Sequence, residues 1–429
     1  MKRSALIKLV DWKNSDSRKP LIVNGARKVG KTWLLKTFGE ENYTNVAYIS
    51  FYNNERAKRI FDNDFDMNRI ILSLQLESNV NISPNNTLII LDEIQECPKA
   101  LESLIYFCED APEYHVVAAG SSLLVQFLKG SSYPVGKVST LELYPLSYKE
   151  FLHAIGEEQL SLALETKDYS IIDIFSDKYL FYLKNYLYIG GMPEVVDLFV
   201  KDRDYSAVRK LQSDMLKMYR DVFSNSSTNC DSSKINLIFD SIAAQLANKN
   251  KKFFFGKILQ GSRRSEFEDA IDLLIKAGLL HKVSKVDEPL SPLLEYKDFS
   301  SYKLFFFDVG LLGAMCNLDA VTIIEENKIF KAFNGALTQQ YVLLELKAVN
   351  NYSTFYFSTA TARFNLDFLI QQNNKIVPIE VKAETKTNSQ KLKAFFKKYN
   401  PEKSIRFSTL PYKDQGWMIN YPLYAVCNI

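Results

Sequence analysis

Pro20-Leu21-Ile22-Val23-Asn24-Gly25-Ala26-Arg27-Lys28-Val29-Gly30-Lys31-Thr32-Trp33-Leu34-Leu35-Lys36 decides the fold. A short apolar run feeds a glycine loop, and the loop runs directly into a helical pattern. Gly25 to Thr32 match the eight-residue phosphate-loop pattern G-x-x-x-x-G-K-[ST]. The two glycines let backbone N–H groups converge on phosphate oxygens with no Cβ in the way. The helix N-terminus that follows adds its partial positive charge. Gly25, Ala26, Arg27, Lys28, Val29, Gly30, Lys31, Thr32 and Trp33 are therefore the expected nucleotide contacts. Lys31 would reach the β and γ phosphates, and Thr32 would hold Mg²⁺.

Further apolar runs lie at 45–51, 87–91, 114–119 and 138–143, separated by helical patterns. Short strands alternating with helices predict βαβ units and a parallel sheet. Leu88-Ile89-Ile90-Leu91 is apolar on both faces, as a central parallel strand requires. It ends in Asp92-Glu93. After a phosphate loop, Asp92 is the expected Mg²⁺ aspartate, and Glu93 the residue that orients or polarises an attacking water. The competing reading is an N-cap aspartate with a first-turn glutamate. The next run ends in Ala119-Gly120-Ser121-Ser122. Ser121, or alternatively Ser122, is placed to contact the γ phosphate or its water, or to cap the next helix.

The chain has 429 residues, enough for two to four domains. Its 53 basic and 50 acidic side chains nearly cancel, so nucleic-acid binding would have to come from local patches. Five dispersed cysteines (Cys97, Cys108, Cys230, Cys316 and Cys427) lack metal-ligand spacing, and three histidines supply neither a zinc site nor a catalytic triad well. The start is basic, but the apolar stretch that follows is too short and interrupted by Lys8 for a signal peptide, and no apolar run spans a membrane. A cytoplasmic location without membrane partners is expected. The Asn-Lys-x-Asp guanine-reading segment that a GTPase would more often show is not present.

Beyond Pro145 the pattern changes. Residues 147–225 are mostly helical in period, interrupted by Gly190-Gly191 and Pro193. Phe253–Leu259, Gly261-Ser262 and Ser265–Leu280 have the rhythm of a helix-turn-helix. Residues 325–429 read as a new α/β unit: a helix at 328–348, strands at 353–358, 365–370 and 375–381, and a lysine-rich helix near 389–399.

GARKVGKTW, LIILDEIQ, AAGSS, LELYPLSYKEF and GGMPEVV, in this order, resemble the bacterial and archaeal AAA-type ATPases (AAA_14-like) that carry a C-terminal DUF4143 region. The resemblance implies an α/β fold: an AAA-like P-loop NTPase core at 1–145, a helical lid at 146–228, a winged-helix-like region at 229–324 and a restriction-endonuclease-like end at 325–429. It implies an ATPase that couples nucleotide state to a C-terminal module contacting nucleic acid or protein. The alternative is a nucleotide-dependent switch with little turnover and an inactive nuclease-like end. Such relatives usually carry Gly-Arg before the PLS motif, where this chain has Gly136-Lys137, and a lysine does not replace an arginine fork. Arg220 is a substitute nucleotide sensor, or else one half of a surface ion pair. AAA-type cores often form rings, but no arginine finger is identifiable, which weighs against assuming one here.

Ser265–Leu280 would be the recognition helix of the winged-helix-like region. Its outward carboxylates Glu266, Glu268, Asp269 and Asp272 would be repelled by a duplex, which favours packing or protein contact. At the C-terminal end, Asp367 and the segment Glu380-Val381-Lys382 resemble a D…E-x-K nuclease core. Asp367 and Glu380 would share one Mg²⁺, and strand alternation puts Glu380 and Lys382 on one face. Relatives usually supply a further acid in a G-x-x-x-E pattern, but here Gly335 is followed by Gln339, which lacks the charge a hard cation wants. Glu345 is a more distant alternative acid. Lys386, Lys391, Lys393, Lys397 and Lys398 form a basic face, either a grip on a nucleic-acid backbone or a solvated surface.

Overall fold

The computed structural model describes residues 1–120, 134–225, 231–248, 250–324, 328–350, 352–359, 364–383 and 388–429. The chain divides into two compact units, one formed by residues 2–144 with 276–278, the other by most of 145–429.

The first unit is built on five strands, β1 (Leu21–Asn24), β2 (Asn45–Ser50), β3 (Thr87–Asp92), β4 (His115–Ala119) and β5 (Ser139–Glu142). They pair in the order β2-β3-β4-β1-β5, all parallel. Every residue of β3 and β4 is buried, whereas the edge strands β2 and β5 alternate in exposure. That gradient explains why continuous apolar runs mark the centre of a parallel sheet. Helix α1 (Ala5–Lys13) precedes β1, and α2 (Lys31–Asn42) leaves the glycine loop. Because β4 lies between β1 and β3, the carboxyl ends of these three strands form one rim, where open α/β sheets place their ligands.

The second unit begins with helices, including Tyr148–Ala154, Ser176–Ile189, Pro193–Asp202 and Tyr205–Asn225. Its mixed sheet contains β6 (Leu280–Val286), β7 (Lys297–Phe306), β8 (Phe355–Ser358), β9 (Asn365–Gln372), β10 (Lys375–Val381), β11 (Ile405–Ser408), β12 (Lys413–Asp414) and β13 (Ile419–Pro422). The order is β12-β13-β11-β10-β9-β8-β6-β7. The β6–β7 hairpin thus joins the C-terminal strands through a parallel β6–β8 ladder, Ser284 to Val286 against Phe355 to Phe357.

The expected helix-turn-helix rhythm is not what forms. Only a single 3₁₀ turn, Phe255–Lys257, occupies the first segment. Phe253 N–H is instead drawn to Tyr302 O (3.0 Å), and Gln245 brackets Phe254 through both its amide atoms. The following helix ends at Lys276, not Leu280. Gly278 adopts φ +70°, and Leu279 N–H closes back on Leu274 O (3.0 Å), so Leu280 opens β6.

Pro145-Leu146-Ser147 and the GGMP segment meet inside the second unit. Leu146 N–H donates to Gly191 O (2.7 Å), and Ser147 with Glu150 forms a reciprocal cap on Tyr148–Ala154. Asp308 accepts from the Gly191 and Leu311 N–H groups (2.7 and 2.9 Å). Burial lifts its carboxyl to about 6, against the pull of those donors.

Candidate nucleotide-binding site

The loop between β1 and α2 is shaped by its glycines. Gly25 has φ +152°, and a Cβ there would lie 2.3 Å from Leu143 O. Gly30 caps α2 at φ +93°, and Lys28 is also left-handed at +70°. Lys31 Nζ folds back onto the loop's own carbonyls, donating to Gly25 O and Ala26 O at 3.0 Å each. Burial lowers this ammonium to about 8, opposed by the Glu93 and Asp92 carboxylates.

Thr32 Oγ1, one residue into α2, donates to Asp92 Oδ2 (2.8 Å) at the end of β3. Asp92 is buried, and its Oδ1 takes the Glu93 N–H (3.0 Å). Glu93 turns the chain at φ +53° and is hydrogen-bonded by the Gln95 amide. The structure thus brings Lys31, Thr32, Asp92 and Glu93 to one rim. Ser121 and Ser122 fall outside the described residues. Lys137 is occupied by Glu109 (2.5 Å) and Arg220 by Asp240 (2.8 Å), both on exposed surfaces.

The C-terminal cluster also assembles. Asp367 on β9 accepts from the Gln339 amide (2.7 Å) and from Val381 N–H (2.8 Å). Glu380 on β10 is buried; its Oε1 pairs with Lys382 (3.2 Å), while among the described residues Oε2 accepts no hydrogen bond. Burial pushes its carboxyl upward. Two buried lysines, Lys251 and Lys303, lie within electrostatic reach of Asp367, and burial lowers Lys303 to about 8. Glu345 is not part of this cluster. It is buried elsewhere, accepting from the Tyr148 N–H (2.7 Å), and burial raises it to about 7. Among the described residues no group of three His, Cys, Asp or Glu side chains is arranged to hold a metal.

Family models match three segments: "AAA domain" at 17–152, "Domain of unknown function (DUF8612)" at 180–322 and "Domain of unknown function (DUF4143)" at 334–424. The chain carries an AAA domain followed by a DUF4143 domain. No curated protein matches it. Among solved structures it is similar to the Walker-type ATPase PABY2304 of Pyrococcus abyssi, with 12% identity, 73% of this chain and 95% of that one covered, and a TM-score of 0.45. It is also similar to the Aeropyrum pernix ORC1 protein in complex with DNA (13%, 75% and 94%, 0.30) and to the Thermotoga maritima RuvB Holliday junction branch migration motor (18%, 68% and 91%, 0.31). Among the described residues no helix is long and apolar enough to cross a membrane.

Two residues outside the sequence motifs support the site, Arg3 at the loop and Tyr48 at Asp92. Arg3 is only 4% exposed, and its guanidinium donates to Val29 O (3.0 Å) within the loop and to Tyr144 O (2.6 Å). No local pattern marks it, because its partners lie 26 and 141 residues away. Tyr48, on β2, donates its hydroxyl to Asp92 Oδ2 (2.9 Å) beneath Lys36, which lies 3.7 Å from the ring centroid. The pairing of Ser50 with Asp92 in the β2–β3 ladder sets that reach, and only a correct strand alignment would have revealed it.

The lowered Lys31 ammonium gives a pH signature. A triphosphate needs this group charged, and the charged fraction of the free protein falls as pH rises through about 8. Nucleotide affinity should therefore drop by about tenfold between pH 7 and pH 9. Titration calorimetry across that range checks it, and Lys31→Arg, which stays protonated, should flatten the profile.

Proposed function

We propose that the chain binds ATP with Mg²⁺ in the AAA domain and hydrolyses it, passing nucleotide state to a C-terminal module that contacts nucleic acid or protein. The observation that carries this reading is the Thr32–Asp92 hydrogen bond of 2.8 Å beside Lys31. It places a hydroxyl and a carboxylate oxygen together, the donor type a hard cation takes. The side-chain-free approach at Gly25 leaves the loop backbone open to phosphate oxygens. The fit to a magnesium–triphosphate is therefore good. Bound Mg²⁺ would neutralise phosphate charge.

The residues Gly25 to Trp33 wrap the phosphates, and Lys31 leaves Gly25 O and Ala26 O to meet the β and γ groups. Thr32 and Asp92 hold the metal side. Tyr48 fixes the Asp92 rotamer. Glu93, next in the chain, orients the attacking water and is steadied by Gln95. Ser121 is the proposed contact to the γ phosphate.

Removing only the charge of Glu93 tests hydrolysis separately from binding. Glu93→Gln should retain ATP affinity within about threefold and lose at least a hundredfold in phosphate release, within the usual range for a positioned general base. Equal release by both proteins would remove the hydrolase reading.

At the C-terminus, the Gln339–Asp367 hydrogen bond favours a second reading, an inactive nuclease-like end. Gln339 donates where relatives are expected to present an acid, and lysines surround the remaining carboxylates. These residues do not fit a divalent cation, and we assign no cleavage chemistry to them.

A further inference from the structure

We propose that the face of the DUF4143 domain carried by the helix Gln390–Tyr399 and the β11–β13 edge is a groove for single-stranded nucleic acid. The proposal rests on the reading of the C-terminal half as an interaction module, and it is independent of ATP turnover. Two cavities, of about 690 and 560 Å³, share Gln390 and Lys393 in their walls. The larger is lined by Lys393, Arg406 and Lys413 with Tyr412 and Trp417; the smaller adds Lys397 and Lys398. Among the described residues no carboxylate lines either one.

The charge is local. Residues 388–429 hold six Lys and Arg outside the pair Glu402 and Lys403 that precede the strand β11, and the whole chain is only +3. The two carboxylates of this stretch are engaged elsewhere. Glu402 is paired with Lys375, and Asp414 accepts the Gly416 N–H (2.8 Å) in its own turn. The lysines along the track are exposed, and Lys398 lies over the rings of Phe364 and Tyr399 at 5.3 and 4.8 Å. Arg406 is different: it is buried, held by Asn420 (2.8 Å) and Ser389 (3.2 Å), and forms a fixed positive floor.

A carpet of cations alone would suit any polyanion. The aromatic side chains make the ligand more specific. Tyr412 is stacked on Tyr169 with centroids 4.1 Å apart, and Trp417 is held edge-on by Phe396 at 5.8 Å. Both rings are held in place by these neighbours, so a base can stack on them with little ordering cost. Two adjoining cavities under one row of lysines match successive nucleotides of a strand. The scattered carboxylates of the helix Arg264–Lys276 offer nothing comparable.

The test uses the full-length chain without ATP and fluorescence anisotropy of a labelled twelve-residue oligothymidylate. Three probes are compared: this strand, a twelve-base-pair duplex, and an abasic strand of equal charge. The strand should bind at least fivefold more tightly than either of the others. Its affinity should fall roughly fiftyfold between 50 and 200 mM salt, for about four phosphate contacts. Lys393→Glu should weaken it about tenfold, while Lys391→Glu, the same charge reversal on the same helix but off the groove, should change it less than twofold. Both are lysines of the helix surface, outside its buried face of Leu392 and Phe395, so folding is not at stake. Equal losses in the two variants, or equal binding of the abasic strand or the duplex, would overturn the proposal. Lys31→Ala should leave strand binding intact, which separates failure here from failure of the ATP reading.

Discussion

Lys31→Ala should abolish ATP binding at micromolar concentrations, a loss of at least a hundredfold. In the free protein this ammonium is held by two loop carbonyls, Gly25 O and Ala26 O. Both are uncharged acceptors, so release toward a tetra-anionic triphosphate exchanges weak partners for strong ones. Truncation deletes the only side-chain ammonium lying across the loop's own carbonyls among the described residues, and losing one partner of a close charge pair costs roughly 2–5 kcal/mol. The loop itself should survive, because Gly25, Gly30 and the Arg3 brace set its course. Calorimetric titration with ATP and Mg²⁺, alongside an unchanged melting temperature, is the check. Undiminished tight uptake of labelled ATP would leave the AAA domain without its assigned site.

Gly191→Ala should destabilise the second unit by about 3 kcal/mol or more, among the larger effects a single methyl can have. A Cβ at this position would sit 2.2 Å from Leu146 O and 2.7 Å from Leu146 N, both backbone atoms. Leu146 N–H is hydrogen-bonded to Gly191 O, so neither strand of the contact can retreat without breaking that bond. The same displacement would pull Gly191 N–H from buried Asp308, stranding a carboxylate oxygen. Chemical denaturation reads the loss. Gly256→Ala is the contrast: a methyl added there would meet nothing within 4 Å, and the change should stay within about 0.5 kcal/mol. Comparable destabilisation in both would show that the crowding at Leu146 is not the cause.

The first unit was largely legible because its signals are local. The run Leu88 to Leu91 reports burial on both faces, and the eight residues from Gly25 carry their own turn chemistry. The expected strands 45–51, 87–91, 114–119 and 138–143 fall within a residue or so of β2 to β5. Arg3 and Tyr48 were not legible, since each acts through a partner brought near only by the fold. The GGMP glycines show the same limit. Their need is set by Asp308 and Leu146, which lie far from them along the chain on either side. The helix-turn-helix rhythm misled because Phe253 and Phe254 suit a helix as well as an extended segment, and only the Tyr302 carbonyl and Gln245 decide between them. Leu279 and Leu280 continued a helical stripe past Gly278, whose left-handed backbone closes the helix.

The β6–β8 ladder has a practical corollary. A fragment engineered to begin near residue 328 would expose the hydrogen-bonding side of Phe355 to Phe357 that Ser284 to Val286 now cover. Naked strand edges of this kind recruit other chains. Soluble expression of the DUF4143 region therefore calls for carrying residues 280–306 along.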